Sequence, residues 1–140
     1  MKLTTQQILR LVEAFQHFDQ APQMHDGKPT REPYKLAGTV RMAMARNIAK
    51  LGEVFGAYQK ARNGLIYEHA AAGGNTVAAD RLADYERAHA ELLESTHEIE
   101  VIRLSEANLQ LDVNEIPVSV LAALIPVMRE VGLSAVAEAA

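Results

Sequence analysis

The chain of 140 residues contains no cysteine and no tryptophan, and only 5% of its residues are aromatic. The absence of cysteine excludes disulfides, thiolate zinc sites, iron–sulfur clusters and cysteine nucleophiles. The scarcity of aromatic side chains speaks against a surface on which nucleic-acid bases stack. A domain of this size buries enough surface on folding to need no covalent cross-link.

Long hydrophobic runs and a strong charge of one sign are also absent. No apolar run approaches the ~18 residues of a membrane-spanning helix, and residues 1–6 lack the apolar stretch of a signal peptide. The 14 basic and 18 acidic residues give a formal net charge of -4, so the molecule as a whole does not attract nucleic acid or anionic lipid. These properties predict a single soluble domain over residues 1–140, with no membrane contact.

Hydrophobic periodicity predicts an α+β fold that is predominantly α-helical. The main feature is a long antiparallel helical hairpin, because two long amphipathic segments flank a short glycine-containing turn. The predicted elements are an N-terminal helix over 4–19, a Pro-rich loop over 20–33, the helical hairpin over 34–96, a small β-hairpin over 97–113, a kinked C-terminal helix over 117–131 and a tail over 132–140.

Several local signals support these boundaries. Thr4 and Gln7 have the spacing of a capping box at the start of the first helix. Gly52 and Gly56 lie on one side of the long helix, and we expect a second helix to approach its backbone there. Pro126 should kink the last helix. The apolar faces predicted for the second hairpin helix and the last helix are Ala78, Leu82, Tyr85, His89, Leu92 and Leu93, and Val120, Leu121, Leu124, Ile125 and Met128.

The β-hairpin prediction depends on alternation. Ile99 and Val101 alternate with Glu98 and Glu100, as in a strand with one buried face. Residues 109–113 alternate again after a polar turn, so they are the expected partner strand. A two-stranded ribbon alone is marginal in water, so we expect it to pack on the helices or to pair with another chain.

Two Glu-x-x-His pairs, Glu86 with His89 and Glu94 with His97, have a spacing found in di-iron helical bundles. Those bundles place the two pairs on different helices, whereas both pairs here lie on one predicted helix. We therefore interpret the stretch as a solvated acidic face with His89 buried and hydrogen-bonded. The remaining histidines that could converge are interpreted as surface residues: His17, His25 and His69. No nucleophile, base and oxyanion donor occur together, so we predict no enzyme, no catalytic residue, no metal and no cofactor.

The long helix carries most of the positive charge. Its basic residues are Arg41, Arg46, Lys50, Lys60 and Arg62. Charge pairing within the helix and with the acidic second helix accounts for them, which speaks against direct nucleic-acid binding.

The order of several short motifs resembles a family of small uncharacterised bacteriophage proteins. The segments that carry the resemblance are residues 45–51, 62–66, 91–94, 98–101, 104–105, 116–117 and 120–124. Similar phage proteins share a long basic-edged helix, an acidic helix, a short ribbon and a closing helix that begins with proline. The N-terminal Pro-rich loop and the alanine-rich tail depart from that pattern.

The resemblance implies a phage or prophage product, located in the host cytoplasm or the virion, and transfers no catalytic residue. We expect a non-enzymatic protein that acts by protein–protein contact, as a virion or morphogenesis subunit such as a connector or tail-associated part, and that forms a homo-oligomer. The residues expected to self-associate are Leu109, Leu111, Val113, Leu133 and Val136. The alternative is a small inhibitor of a host or defence protein, with an acidic binding face formed by Asp80, Asp84, Glu91, Glu94 and Glu98.

Overall fold

The structure is a computed structural model that describes residues 1–20, 24–25, 28–29, 32–71 and 74–129. The fold is α+β and predominantly α-helical, as predicted. Its elements are β1 (Lys2–Thr4), α1 (Thr5–Gln20), β2 (Met24–His25), β3 (Lys28–Pro29), α2 (Gly38–Glu68), a 3-10 turn (Ala79–Arg81), α3 (Leu82–Glu94), β4 (Thr96–Glu98), α4 (Glu106–Leu109), α5 (Val118–Leu124) and a second 3-10 turn (Ile125–Val127).

Helix α1 forms the centre of the core and begins with the predicted capping box. The Thr4 backbone N–H donates to Gln7 Oε1 at 2.9 Å, and the Gln7 N–H donates to Thr4 Oγ1 at 3.1 Å. These two bonds satisfy donors that a helix start leaves unpaired. The apolar stripe of α1 is buried throughout; its members are Ile8, Leu11, Val12, Phe15 and Phe18.

Helices α2 and α3 form the predicted antiparallel hairpin. Near the turn, the rings of His69 and Tyr85 lie 6.2 Å apart. Farther from the turn, Tyr58 Oη and His89 Nε2 are 2.8 Å apart, so the residue order on the two helices runs in opposite directions. No residue of α3 is fully buried, and Leu82, predicted to face inward, is 46% exposed. Helix α3 therefore covers the outside of α2 instead of contributing to the core.

The β-hairpin predicted over 97–113 is wrong, because its first half pairs with the chain's N-terminal residues. Strand β4 is antiparallel to β1, with Lys2 opposite Glu98 and Thr4 opposite Thr96. The Ile99 N–H continues this pairing by donating to the Met1 carbonyl at 2.9 Å. A three-residue strand so far away in sequence gives little local signal, so alternation alone could not identify the partner.

The predicted second strand over 109–113 is a helical turn followed by tight turns. Ser105 and Asn108 form a reciprocal capping box around the short helix α4. Gln110 ends α4 in the left-handed region with φ 48°, so the chain cannot continue as an extended strand there. Asparagine at the third helical position replaces the usual Glu or Gln of this motif, which explains why the signal was missed.

Two buried asparagines hold irregular segments on the core. Asn47 is 0% exposed and binds the Ile102 backbone twice, with Nδ2 donating to the carbonyl at 3.0 Å and Oδ1 accepting from the N–H at 2.8 Å. Asn114 accepts from the Lys35 N–H and donates to the Lys35 and Leu109 carbonyls. These side chains pair backbone groups that would otherwise lose hydrogen bonds on burial.

The C-terminal helix is shorter than the predicted 117–131 and changes pitch near Pro126. The 3-10 turn Ile125–Val127 follows α5 directly, and the Leu104 and Arg129 N–H groups donate to the Val127 and Leu104 carbonyls. Val127 follows the buried Leu124 by three residues, so it lies on the same inner side of the segment. Ile125, predicted to be internal, is 68% exposed, whereas Val127 is fully buried. The end of the predicted helix at 130–131 and the predicted tail over 132–140 lie outside the described residues.

The close helix contact expected at Gly52 and Gly56 is also wrong. A Cβ atom added at either glycine would meet nothing within 4 Å. Within the Pro-rich loop, β2 and β3 pair as a short antiparallel hairpin, which was not predicted. The sequence carried a signal for it, since Asp26-Gly27 is a dipeptide typical of hairpin turns.

Candidate functional site

The α5 segment has the most unusual surface in the described part of the chain. Residues 116–128 contain no charged residue, and Ser119 is their only polar side chain. Leu124 and Val127 are buried against the core, but Val118 on the opposite face is 81% exposed. A helix that is apolar on all sides is usually covered on all sides. The outer face of α5, defined here as Val118, Ala122 and Ile125, is therefore a candidate contact surface.

An open groove of about 710 Å³ lies between this face and α1. Helix α1 supplies a polar wall at helical spacing, formed by Gln7, Arg10, Glu13 and His17. Ala122, Ala123 and Ile125 form much of the apolar wall. One wall of the groove is therefore apolar and the other is polar. We call this feature the α1–α5 groove.

His17 anchors the polar wall to the core. Its Nε2 lies 2.7 Å from the hydroxyl of Tyr34, a residue that is only 1% exposed. Burial lowers the pKa of His17 from its ordinary 6.5, since the imidazolium form loses hydration. Burial, and then the charge of Glu115, raise the pKa of Tyr34 from 10.0. The pair is therefore uncharged at neutral pH, and His17 is a partly buried anchor instead of the surface residue predicted.

A second cluster joins α1 to the α3–β4 connection. Thr5 Oγ1 lies 2.8 Å from Ser95 Oγ and 2.8 Å from His97 Nε2. Ser95 Oγ also donates to the Leu92 carbonyl at 2.6 Å. Thr5 is 1% exposed, so this cluster links the core to two grooves on the surface of α2 that His97 lines.

His89 is hydrogen-bonded to Tyr58 as interpreted, but it is half-buried instead of buried. The two Glu-x-x-His pairs do not share one helix as predicted, because α3 ends at Glu94 and His97 lies on β4. His69 was interpreted as a surface residue, but it is half-buried and its Nδ1 contacts the Leu65 carbonyl at 2.8 Å. The side chain of His25 lies outside the described part of the chain. Among the described residues, no group of three or more His, Asp or Glu side chains is arranged to hold a metal ion.

Of the residues predicted to self-associate, the structure describes three, and two of these are exposed. Leu109 is 1% exposed and belongs to the core, so its assignment to a contact surface is wrong; it packs inward because α4 replaces the predicted strand. Leu111 and Val113 are 45% and 49% exposed. Leu133 and Val136 lie outside the described residues. Val118 was not among the predicted contact residues and Ile125 was predicted to be internal, although the uncharged run 116–128 was a readable signal.

The predicted acidic face is exposed, but part of its charge is paired. All five members lie on the surface: Asp80, Asp84, Glu91, Glu94 and Glu98. Asp84 Oδ1 lies 3.8 Å from Arg87 Nη1, and Glu98 Oε2 lies 3.8 Å from the Met1 amino group. Exposed pairs of this kind contribute little to stability, so these carboxylates do not hold the fold together.

No protein-family model, no curated protein and no solved structure matches this chain. In the described ranges, no helix combines the length and apolar character needed to cross a membrane. The resemblance to small bacteriophage proteins therefore stays a prediction from the sequence.

Proposed function

We propose that this protein is a non-enzymatic subunit that self-associates through the outer face of α5 and the adjoining α1–α5 groove. The observation that carries the proposal is the 81% exposure of Val118 and the 68% exposure of Ile125 on a segment without charge. Exposed apolar surface of this kind marks contact sites in soluble proteins. The resemblance to phage proteins agrees with a virion or morphogenesis subunit such as a connector or tail-associated part.

A second copy of the chain is the occupant that the charges favour. The molecule carries a formal charge of -4, so two copies repel each other overall, and contact through an uncharged surface keeps that repulsion small. Packing α5 against α5 brings no like charges together there. The rim of the groove is self-complementary as well, because Arg10 of one copy can face Glu13 of the other across a twofold axis.

The spacing of the outer face suits an antiparallel pair of α5 helices. Val118, Ala122 and Ile125 follow each other by four and three residues, which places them on one side of a helix. If the twofold axis passes near Ala122, Val118 of one copy packs against Ile125 of the other. The small side chain of Ala122 allows the two backbones to approach closely at the axis.

Light scattering across a concentration series tests the proposal. The wild type should form a closed oligomer whose mass is insensitive to salt, because the contact is apolar. Val118→Asp combined with Ile125→Asp should give monomers, since it places carboxylates in the contact. Leu82→Asp is the matched control, because Leu82 is 46% exposed and does not line the groove. A monomeric wild type, or an unchanged mass in the double variant, contradicts the proposal.

The second candidate function is inhibition of a host or defence protein through the acidic face. The observation in its favour is that all five carboxylates remain on the surface. Replacing Asp84 with Asn and Glu91 and Glu94 with Gln should abolish capture of such a partner while the circular dichroism spectrum stays the same. Unchanged capture would reject the acidic face as the binding surface.

A further inference from the structure

A second groove runs along α2 on a part of the surface that shares no lining residue with the α1–α5 groove. It consists of two adjoining cavities of about 330 and 650 Å³, which have Glu53, Val54 and His97 in common. We call it the α2–β4 groove. The α1–α5 groove does not extend to it, and Glu98 is the one member of the acidic face that lines it.

One end of the α2–β4 groove is apolar. Val54, Ala57 and Ala61 of α2 face Leu92 of α3 there. From Glu53 to Ala61 the groove follows eight residues of α2, which is about 12 Å at the helical rise of 1.5 Å per residue. This length and lining suit a short hydrocarbon body.

A hydrogen-bonded cluster lies at the middle of the groove, where His97 lines both cavities. A carbonyl can only accept, so Ser95 Oγ donates to the Leu92 carbonyl at 2.6 Å and Thr5 Oγ1 donates to the Ser95 carbonyl at 3.3 Å. Thr5 Oγ1 also lies 2.8 Å from His97 Nε2, which holds the ring at the groove. Within the described part of the chain, His97 Nδ1 has no hydrogen-bond partner.

The other end of the groove is lined mainly by acceptors. Glu53, Glu98 and Glu100 contribute carboxylates, and Lys50 is the single cation among the lining residues. Glu98 lies 3.8 Å from the Met1 amino group, so this rim already holds one ammonium. A ligand for this end must bring donors and positive charge.

We propose that the α2–β4 groove binds a small organic cation that has an ammonium or guanidinium head and a short apolar body. The head lies among the carboxylates and within reach of His97, and the body lies against the apolar end. The class of ligand follows from the acceptors at one end and the hydrocarbon lining at the other.

Three probes of equal chain length separate the contribution of the positive head from that of the apolar body: hexylamine, hexan-1-ol and hexanoate. Each is titrated into the full-length protein at pH 7.5, and amide chemical shifts are followed by NMR. Hexylamine should give saturable shifts at residues of the α2–β4 groove, hexan-1-ol weaker ones and hexanoate none. Absence of saturable shifts with hexylamine overturns the proposal, and so does equal binding of the three probes or a response confined to the α1–α5 groove.

Two exposed positions allow variants that preserve the fold. Glu53→Gln should weaken hexylamine binding about two- to fivefold, the effect expected for one exposed ion pair. Ala57→Trp should abolish binding by filling the apolar end. Glu91→Gln is the matched control, because Glu91 is exposed on α3 and does not line the groove. Equal affinities for Glu53→Gln, Ala57→Trp and Glu91→Gln, with unchanged circular dichroism, would overturn the site. Because the two grooves share no lining residue, these results do not depend on the oligomeric state predicted above.

Discussion

Replacing Asn47 with Ala tests how the extended segment after β4 stays on the core. The substitution removes both hydrogen bonds to the Ile102 backbone, at 3.0 and 2.8 Å, and leaves two backbone groups to find water or remain unpaired. At about 1 kcal/mol for each bond plus partial desolvation of the groups left behind, we expect a loss of roughly 2–3 kcal/mol in the free energy of unfolding. For a chain of this size the melting temperature should fall by about 6–10 °C.

Urea denaturation followed by circular dichroism measures this loss. Asn63→Ala is the control, since Asn63 is exposed on the same helix and the substitution brings the same gain in helix propensity. The difference between the two variants therefore isolates the buried contact. Asn47→Asp should be at least as destabilising as Asn47→Ala, because a carboxylate then faces the Ile102 carbonyl. Equal stability of Asn47→Ala and Asn63→Ala would refute the role of Asn47 in holding the segment around Ile102 on the core.

Two further predictions concern stability. Gly52→Ala and Gly56→Ala should each stabilise the protein by about 0.5–1 kcal/mol, because alanine favours the helix and its Cβ has open space at both positions; lower unfolding midpoints in urea would contradict this. The stability should also fall as the pH drops below 6.5, because the pKa of His17 is lowered in the folded state and the unfolded chain then binds more protons. His17→Gln should reduce that slope between pH 7 and 5 in denaturation experiments, and an unchanged slope would contradict the assignment.

The elements predicted correctly depend on local signals, although two other local signals, Ser105 with Asn108 and Asp26-Gly27, were missed. The Thr4 and Gln7 capping box, the stripe of α1 and the turn between α2 and α3 all depend on residues a few positions apart. Non-local pairing was not readable, since β1 and β4 are three-residue strands separated by most of the chain. The α2–β4 groove was missed for the same reason, because His97 and Thr5 meet only after β1 and β4 pair.

The exposed face of α5 shows how the choice of apolar stripe alters a candidate site. The predicted stripe placed Ile125 on the buried side with Leu121 and Leu124. The structure instead buries Val127, which follows Leu124 by three residues, and leaves Ile125 in solvent, seven residues after Val118. The composition of residues 116–128 did indicate a contact surface, since a segment without charge is poorly suited to lie on a surface unless another molecule covers it.

A disulfide-trapping experiment tests the central claim, self-association through α5, most directly. The natural chain has no cysteine, so a single Ala122→Cys substitution places one thiol per molecule near the proposed twofold axis. A disulfide needs Cα atoms about 4.4–6.8 Å apart, which an antiparallel α5 pair meeting at Ala122 would provide. The account predicts rapid formation of a covalent dimer on mild oxidation, while Ala90→Cys on the exposed face of α3 stays monomeric on a non-reducing gel. Equal cross-linking of the two variants, or none with Ala122→Cys, would contradict it.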